Sequence, residues 1–227
     1  MLSFTTHAEC QVLSGLMRGN LCDELTARPG RRYAAGDVVY MVGDDAHTIY
    51  FLRDGLVKLT ALSLDGREII LDIQKPGGIF GLFCLCGAPR GETAIAMEPS
   101  EVVPISLVEL FERLRENPDV LTSFLATVCQ RLSQAYDTIQ ELSFENLPVR
   151  LARMLLRLAE EIGRETEHGT ELEHYLTQEE LAQLLSARRE VVSTALSRMR
   201  EAGLVDYSRK GKLTINREAL EAFARQE

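Results

Sequence analysis

Apolar and polar positions follow three successive patterns along this chain. Between residues 30 and 105, short β-branched and aromatic runs are broken every few positions by Gly36, Asp54-Gly55, Asp65-Gly66 and Gly77-Gly78. That rhythm predicts antiparallel strands rolled into a sandwich or barrel. Within it, LVKLTALSLDGREIILDI reads as two strands turning at Asp65-Gly66, because Asp-Gly tolerates the positive φ of a tight hairpin. From Ser106 the period lengthens. SLVE has the spacing of a helix-capping box from Ser106 to Glu109, and Asn117-Pro118 closes the short helix it opens.

Beyond that break, apolar residues stand at Leu121, Leu125, Val128, Leu132, Ala135, Ile139 and Leu142. The steps alternate four and three, a heptad seam that keeps one stripe facing a neighbour. A helix laid on its own strand domain would use such a stripe too; its unbroken regularity favours a homodimer. FENLPV ends the seam, since Pro148 lacks an amide donor and pushes Leu147 away from helix, and a hinge is expected there. VRLARMLLRLAEEIG resumes an amphipathic helix that Gly163 closes, and RETEHGTELEH reads as a loop or loose hairpin. The expected organisation is α+β: a β-roll over 1–117, a dimerisation helix and hinge over 118–146, and a helical unit over 147–227.

The last unit carries the most specific pattern. In TQEELAQLLSARREVVSTALSRMREAGLV, Thr177 and Glu180 are spaced as a capping box. With Ala182 at the small fifth position of a twenty-residue helix-turn-helix frame, Leu181, Leu185, Ala187, Val192 and Ala195 fall where two crossing helices must pack. Ser186 stands where the sharp turn usually has glycine. The second helix then offers Arg188, Arg189, Glu190, Ser193 and Thr194 from the half that enters a major groove, with Arg198 a turn further on for phosphate and Thr177 and Gln178 at the start of the first helix. LVDYSRKGKLTI follows as a hairpin whose Arg209, Lys210 and Lys212 suit phosphates.

Charge sharpens this reading. The formal net charge of −9 argues against a polyanionic partner, yet residues 188–212 hold seven basic groups against three acidic ones, while residues 1–147 carry −8. No apolar run is long enough to span a bilayer, and MLSFTTHAECQ lacks the layout of a signal peptide, so a cytoplasmic protein is expected, with no membrane partner. Five cysteines are too few and too irregular for a disulfide framework.

Strands, seam helix and basic helix-turn-helix together make the chain resemble the catabolite-activator and fumarate-nitrate-reduction family of transcription regulators. LPVRLARMLLRLA is similar to the family's hinge and first DNA-domain helix, and RREVVSTAL to its recognition helix. The resemblance implies a β-roll sensor of cyclic-nucleotide-binding type, dimerisation through the long helix, a winged helix-turn-helix on pseudo-palindromic double-stranded DNA, and RNA polymerase as a further partner. Arg189 and Glu190 match its base-reading Arg and Glu, and suit a guanine edge and a cytosine amino group. Thr194 replaces a second Arg, and a hydroxyl makes no bidentate guanine contact.

The family's cyclic-nucleotide cassette aligns without gaps on GGIFGLFCLCGAPRGETA, residues 77–94, which makes Phe83 within it an effector-pocket candidate. Leu82 then stands at the ribose-binding Glu, Glu92 at the phosphate-binding Arg, Thr93 at the Ser, and Ala135 and Tyr136 at the base-binding Thr-Ser pair of the long helix. A carboxylate repels a phosphodiester; a loop change could shift Arg90 in, but the Glu and the helix pair would still be lost, so cAMP is not the expected effector. Haem or an iron-sulfur cluster, which other family members use, leaves Cys84, Cys86, Cys10 and Cys22 as metal candidates, with His7, His47, Met41 and Met97 as possible axial ligands. The family's N-terminal C-x-x-C spacing is absent, and the cysteines, Cys129 included, read first as packed thiols. Two other classes stay open at this point. A cupin-like metal enzyme would need clustered histidines, whereas the four here are scattered; a cyclic-nucleotide regulatory module would not need the Arg189-Glu190 helix or its wing.

Overall fold

The computed structural model describes residues 28–64, 66–82, 85, 87–172, 174, 176–207 and 212–225. The chain forms two compact units whose boundary in sequence falls between Ala135 and Tyr136. In the first, two four-stranded antiparallel sheets make the roll. One runs β1 (Arg31–Tyr33), β8 (Ser100–Ser106), β3 (Thr48–Asp54), β6 (Ile79–Phe80); the other runs β2 (Val38–Tyr40), β7 (Thr93–Ala96), β4 (Val57–Leu62), β5 (Glu68–Gln74). The hairpin expected at Asp65-Gly66 is the β4–β5 pair, closing at Leu62 opposite Glu68, with Gly66 at φ +81°. Ile49, Phe51, Val103 and Ile105 turn one apolar cluster inward, and Leu52, Val57, Phe80 and Ala94 another. Alternate side chains of a strand point to opposite faces, which is why β3 and β8 supply both clusters.

Helix α1 (Leu107–Glu116) opens where Ser106 Oγ accepts the Glu109 amide at 3.2 Å. The reciprocal half of the expected box is not made. The Glu109 carboxylate instead pairs with Arg28 and Arg113. Leu110 and Leu114 pack on the roll, and Asn117 ends the helix. Helix α2 (Pro118–Phe144) starts at once, buries Phe124 and Thr127, and reaches across the boundary between the units.

The second unit begins its globular part at α3 (Leu147–Ile162), where Asn146 Oδ1 accepts the Val149 amide and Pro148 sits in the first turn, the one place in a helix where its missing N–H costs nothing. The stretch after Gly163 is a regular hairpin, β9 (Gly163–Thr166) and β10 (Gly169–Leu172), and not a loop. Helices α4 (Gln178–Leu184) and α5 (Arg189–Glu201) follow, then β11 (Val205–Tyr207), β12 (Leu213–Ile215) and α6 (Arg217–Arg225). The four strands form one sheet in the order β11-β12-β10-β9. Leu151, Leu155, Leu181, Val192, Leu196, Ile215 and Leu220 share its core. Among the described residues, no helix is long and apolar enough to cross a membrane.

Candidate functional site

The α4–α5 pair is fixed by local chemistry. Glu180 N donates to Thr177 Oγ1 at 3.1 Å while Thr177 N donates to Glu180 Oε2 at 2.8 Å, so the expected capping box is complete. The Thr177 hydroxyl also donates to Glu180 Oε2, which commits it to the helix start. Leu181, Ala182, Leu185, Val192 and Ala195 are buried and Ala187 is packed against them, as the frame requires. At the turn Ser186 adopts φ +51°, the only residue other than glycine with positive φ among those described. It does so without a side-chain hydrogen bond to any described residue.

With its inner face buried, α5 presents Arg188, Arg189, Glu190, Thr194 and Arg198 to solvent and leaves Ser193 half-buried, while Gln178 is half-buried at the start of α4. Thr194 Oγ1 donates to the Glu190 carbonyl at 2.8 Å, and Ser197 Oγ to that of Ser193 at 3.0 Å. Arg188, Arg189 and Arg198 are exposed, and none of them pairs with an acidic side chain among the described residues. Beside this face lies a depression of about 660 Å³ lined by Pro148, Val191, Thr194, Arg198, Met199 and Phe223, which sequence periodicity did not signal. In the wing, β11 and β12 pair from Val205–Ile215 to Tyr207–Leu213. Lys212 lies 4.0 Å from Glu171, and Arg209 and Lys210 fall outside the described residues.

On α2 the seam residues Leu121, Leu125, Val128, Leu132, Ala135, Ile139 and Leu142 are all exposed in the single chain, Ile139 by 58%. Tyr136 is exposed next to them, and so is Cys129, which departs from the packed thiol expected.

The roll interior is organised differently from the cassette alignment. Leu82 is half-buried against the Ile49–Phe51 cluster, and Thr93 Oγ1 accepts the Val42 amide at 3.1 Å. Glu92 is 2% exposed; its Oε1 accepts the Tyr40 hydroxyl at 2.7 Å, and its Oε2 has no hydrogen-bond partner among the described residues. Burial, then the Glu92 charge, push the Tyr40 phenol well above its ordinary value, so it stays a neutral donor. Arg90, 3% exposed, lays its guanidinium 4.2 Å from the centre of the Tyr40 ring and donates to the carbonyls of Gly81, at 2.8 Å, and Thr48. Tyr40, Tyr50 and Phe80 stack with ring centres 5.4–6.1 Å apart. The Arg90–Tyr40 part of this cluster escaped sequence reasoning; the signal available was Tyr40 on an inward position of VVY, which nothing in one sequence pairs with Arg90.

Phe83, Cys84, Cys86, Cys10, Cys22 and His7 lie outside the described residues. His47 and Met41 are exposed and Met97 is half-buried, and among the described residues no three His, Cys, Asp or Glu side chains gather as metal ligands would.

Comparison with known proteins agrees with this geometry unit by unit. Residues 30–117 match the cyclic nucleotide-binding domain family and residues 149–223 the Crp-like helix-turn-helix domain family. A CRP-like cAMP-activated global transcriptional regulator of Mycobacterium tuberculosis is 30% identical over 194 residues, 85% of this chain and 87% of that one. The chain belongs to the CRP/FNR family of transcriptional regulators. A global nitrogen regulator of Synechocystis is 26% identical over 78% of this chain and 80% of its own. Among solved structures, a CRP-family regulator of Thermus thermophilus superposes with a TM-score of 0.73 at 28% identity, covering 86% of this chain and 96% of that one. A CooA mutant from Carboxydothermus hydrogenoformans reaches 0.76 over 99% and 98% at 21% identity, a likeness of fold. As a member of the CRP/FNR family the protein is a DNA-binding transcriptional regulator, α+β in class, and the cupin-like enzyme reading falls because its relatives are regulators.

Proposed function

We propose that the regulator works as a homodimer joined along α2, reads a pseudo-palindromic duplex with Arg189 and Glu190 of α5, and answers to an effector other than cAMP or to none. The reading of DNA rests on one observation: Arg189 and Glu190 are exposed at the start of a helix whose opposite face is wholly buried. An Arg fork and a carboxylate there address a guanine edge and a cytosine amino group, and Thr194, its hydroxyl turned back on the Glu190 carbonyl, adds no strong guanine preference. Lys212 and the rest of the wing meet phosphate. The dimer is supported by seven seam side chains left exposed at heptad spacing, a stripe that burial against a second copy removes from water. Such a regulator acts in the cytoplasm with RNA polymerase as its further partner.

The rejection of cAMP is supported by Glu92, a buried carboxylate at the cassette's phosphate-binding position, and by Leu82 at the ribose-binding position. A phosphodiester beside Glu92 would set two anions together in a poorly solvated interior. The name of the Mycobacterium relative favours a second reading, activation by cAMP. One experiment separates the two. An operator is selected from a random duplex library, and its affinity for the protein is measured with and without cAMP. Unchanged affinity and no calorimetric binding are expected; saturable cAMP binding that tightens the operator complex supports the second reading.

A further inference from the structure

The segment Ile79–Phe80–Gly81 is clamped from two sides within the first unit. From inside the roll, Arg90 donates to the Gly81 carbonyl and to the Thr48 carbonyl of β3, and covers the Tyr40 ring that stacks on Phe80. From the helix side, Arg131 of α2 donates to the Ile79 carbonyl and, at 2.8 Å, to Gln74 Oε1. The strand β6 therefore links the roll interior to α2, alongside Phe124 of α2, which packs into the Ile49–Phe51 cluster directly. Gly81 suits the site: its φ of +78° is one that a side chain would strain, and a Cβ would stand 2.6 Å from Arg90 Nη1.

A buried guanidinium is expensive unless its charge is balanced and its donors are used. Here the balance is assembled around it. Two carbonyls take its terminal N–H groups while Nε has no hydrogen-bond partner among the described residues; the Tyr40 face takes its charge, and the Glu92 carboxylate, held by the Tyr40 hydroxyl, offsets it from the far end of the same ring. The arrangement suits a flat, weakly hydrated cation that bridges two acceptors better than it suits an ammonium.

We propose that Arg90 is a ligand the protein supplies to itself: its side chain fills a guanidinium site between Tyr40, Thr48 and Gly81 and ties the end of β6 to β3, next to the Ile79 carbonyl that Arg131 of α2 holds, so that the roll is set for operator binding without a bound effector. The proposal rests on the reading that cAMP does not act here, and it adds what holds the roll in place of a nucleotide. Emptying the slot then lowers the competent fraction of the protein, and apparent affinity falls in proportion.

The test is chemical rescue. Arg90→Ala protein, checked for folding by circular dichroism, is expected to bind the selected operator about tenfold more weakly than the native chain. Millimolar guanidinium is expected to restore that affinity, whereas equal concentrations of methylammonium or sodium leave it low, and guanidinium leaves the native chain unaffected. Native affinity in the alanine variant overturns the proposal; so does a folded variant whose loss guanidinium does not repair, which makes Arg90 a packing residue only. If Arg90→Ala does not fold, Arg90→Lys carries the test: it keeps the charge and loses the bridge, weaker operator binding is expected, and native affinity overturns the proposal. A parallel cAMP titration of the native chain separates the two ideas. Tightening by cAMP defeats the reading beneath, whereas inert cAMP with a native-like Arg90→Ala defeats only the latch.

Discussion

Ser186 offers a measurable prediction because its cost is readable from one angle. At φ +51° it holds the sharp turn between α4 and α5 in the left-handed region. A side chain there costs roughly 1–2 kcal/mol against the right-handed region, a strain glycine escapes. Glycine gives back about 0.5–1 kcal/mol of the gain through the looser unfolded chain. Ser186 is exposed, so no packing is lost with its side chain. Ser186→Gly is thus expected to stabilise the second unit by about 0.5–1 kcal/mol, roughly 2–8 °C in Tm for a domain of about a hundred residues. Ser186→Val, branched at Cβ, is expected to move Tm the other way, and Ser186→Ala to leave it nearly unchanged. Calorimetric melting of the four proteins is the assay. Equal melting of the glycine and valine variants refutes the reasoning, because a turn indifferent to both has no left-handed residue at 186.

Thr177→Ala removes the capping box, and a loss of about 1 kcal/mol is expected in denaturant unfolding of the second unit. Replacing Leu132 and Ile139 by Glu puts charge on the exposed seam, and sedimentation is expected to find monomers with weak operator affinity; an unchanged dimer contradicts the α2 interface. Burial raises the Tyr40 and Tyr50 phenols above the ordinary value of 10.0. The folded chain keeps their protons where the unfolded chain loses them, so this contribution is complete below pH 10 and declines as pH rises above it. Absorbance titration is expected to show Tyr40 among the last of the six tyrosines to ionise, with Tyr50 also displaced upward.

Local chemistry that fits within a few residues was legible in the sequence. The Thr177–Glu180 box, the Asn117-Pro118 break, the Gly66 turn and the buried positions of the helix-turn-helix each depend on neighbours close along the chain. The hairpin after Gly163 was less clear, because its side chains are mostly polar and its regularity comes from pairing with β12, more than forty residues on. The second half of the Ser106 box failed for a similar reason: Arg28, distant in sequence, competes for Glu109. Least legible was the roll interior. An ungapped alignment put Glu92 in place of a phosphate-binding Arg, but whether that carboxylate meets a ligand or a tyrosine is decided by β2 packing against β7, which brings Tyr40 to it across fifty residues of chain.

The central claim is that α5 reads bases, and the direct measurement is the ratio of operator to random-duplex affinity in the native chain and in Arg189→Ala. A bidentate Arg contact discriminates the right base by roughly 1–3 kcal/mol, whereas a phosphate contact strengthens all sequences alike. Arg189→Ala is therefore expected to narrow the ratio by about tenfold or more, with single-base operator variants locating the loss at one guanine per half-site. Lys212→Ala, in the wing, is expected to weaken both duplexes together and flatten the salt dependence. Equal weakening of operator and random duplex by Arg189→Ala would contradict the account, for it would mean that this helix touches DNA without reading it.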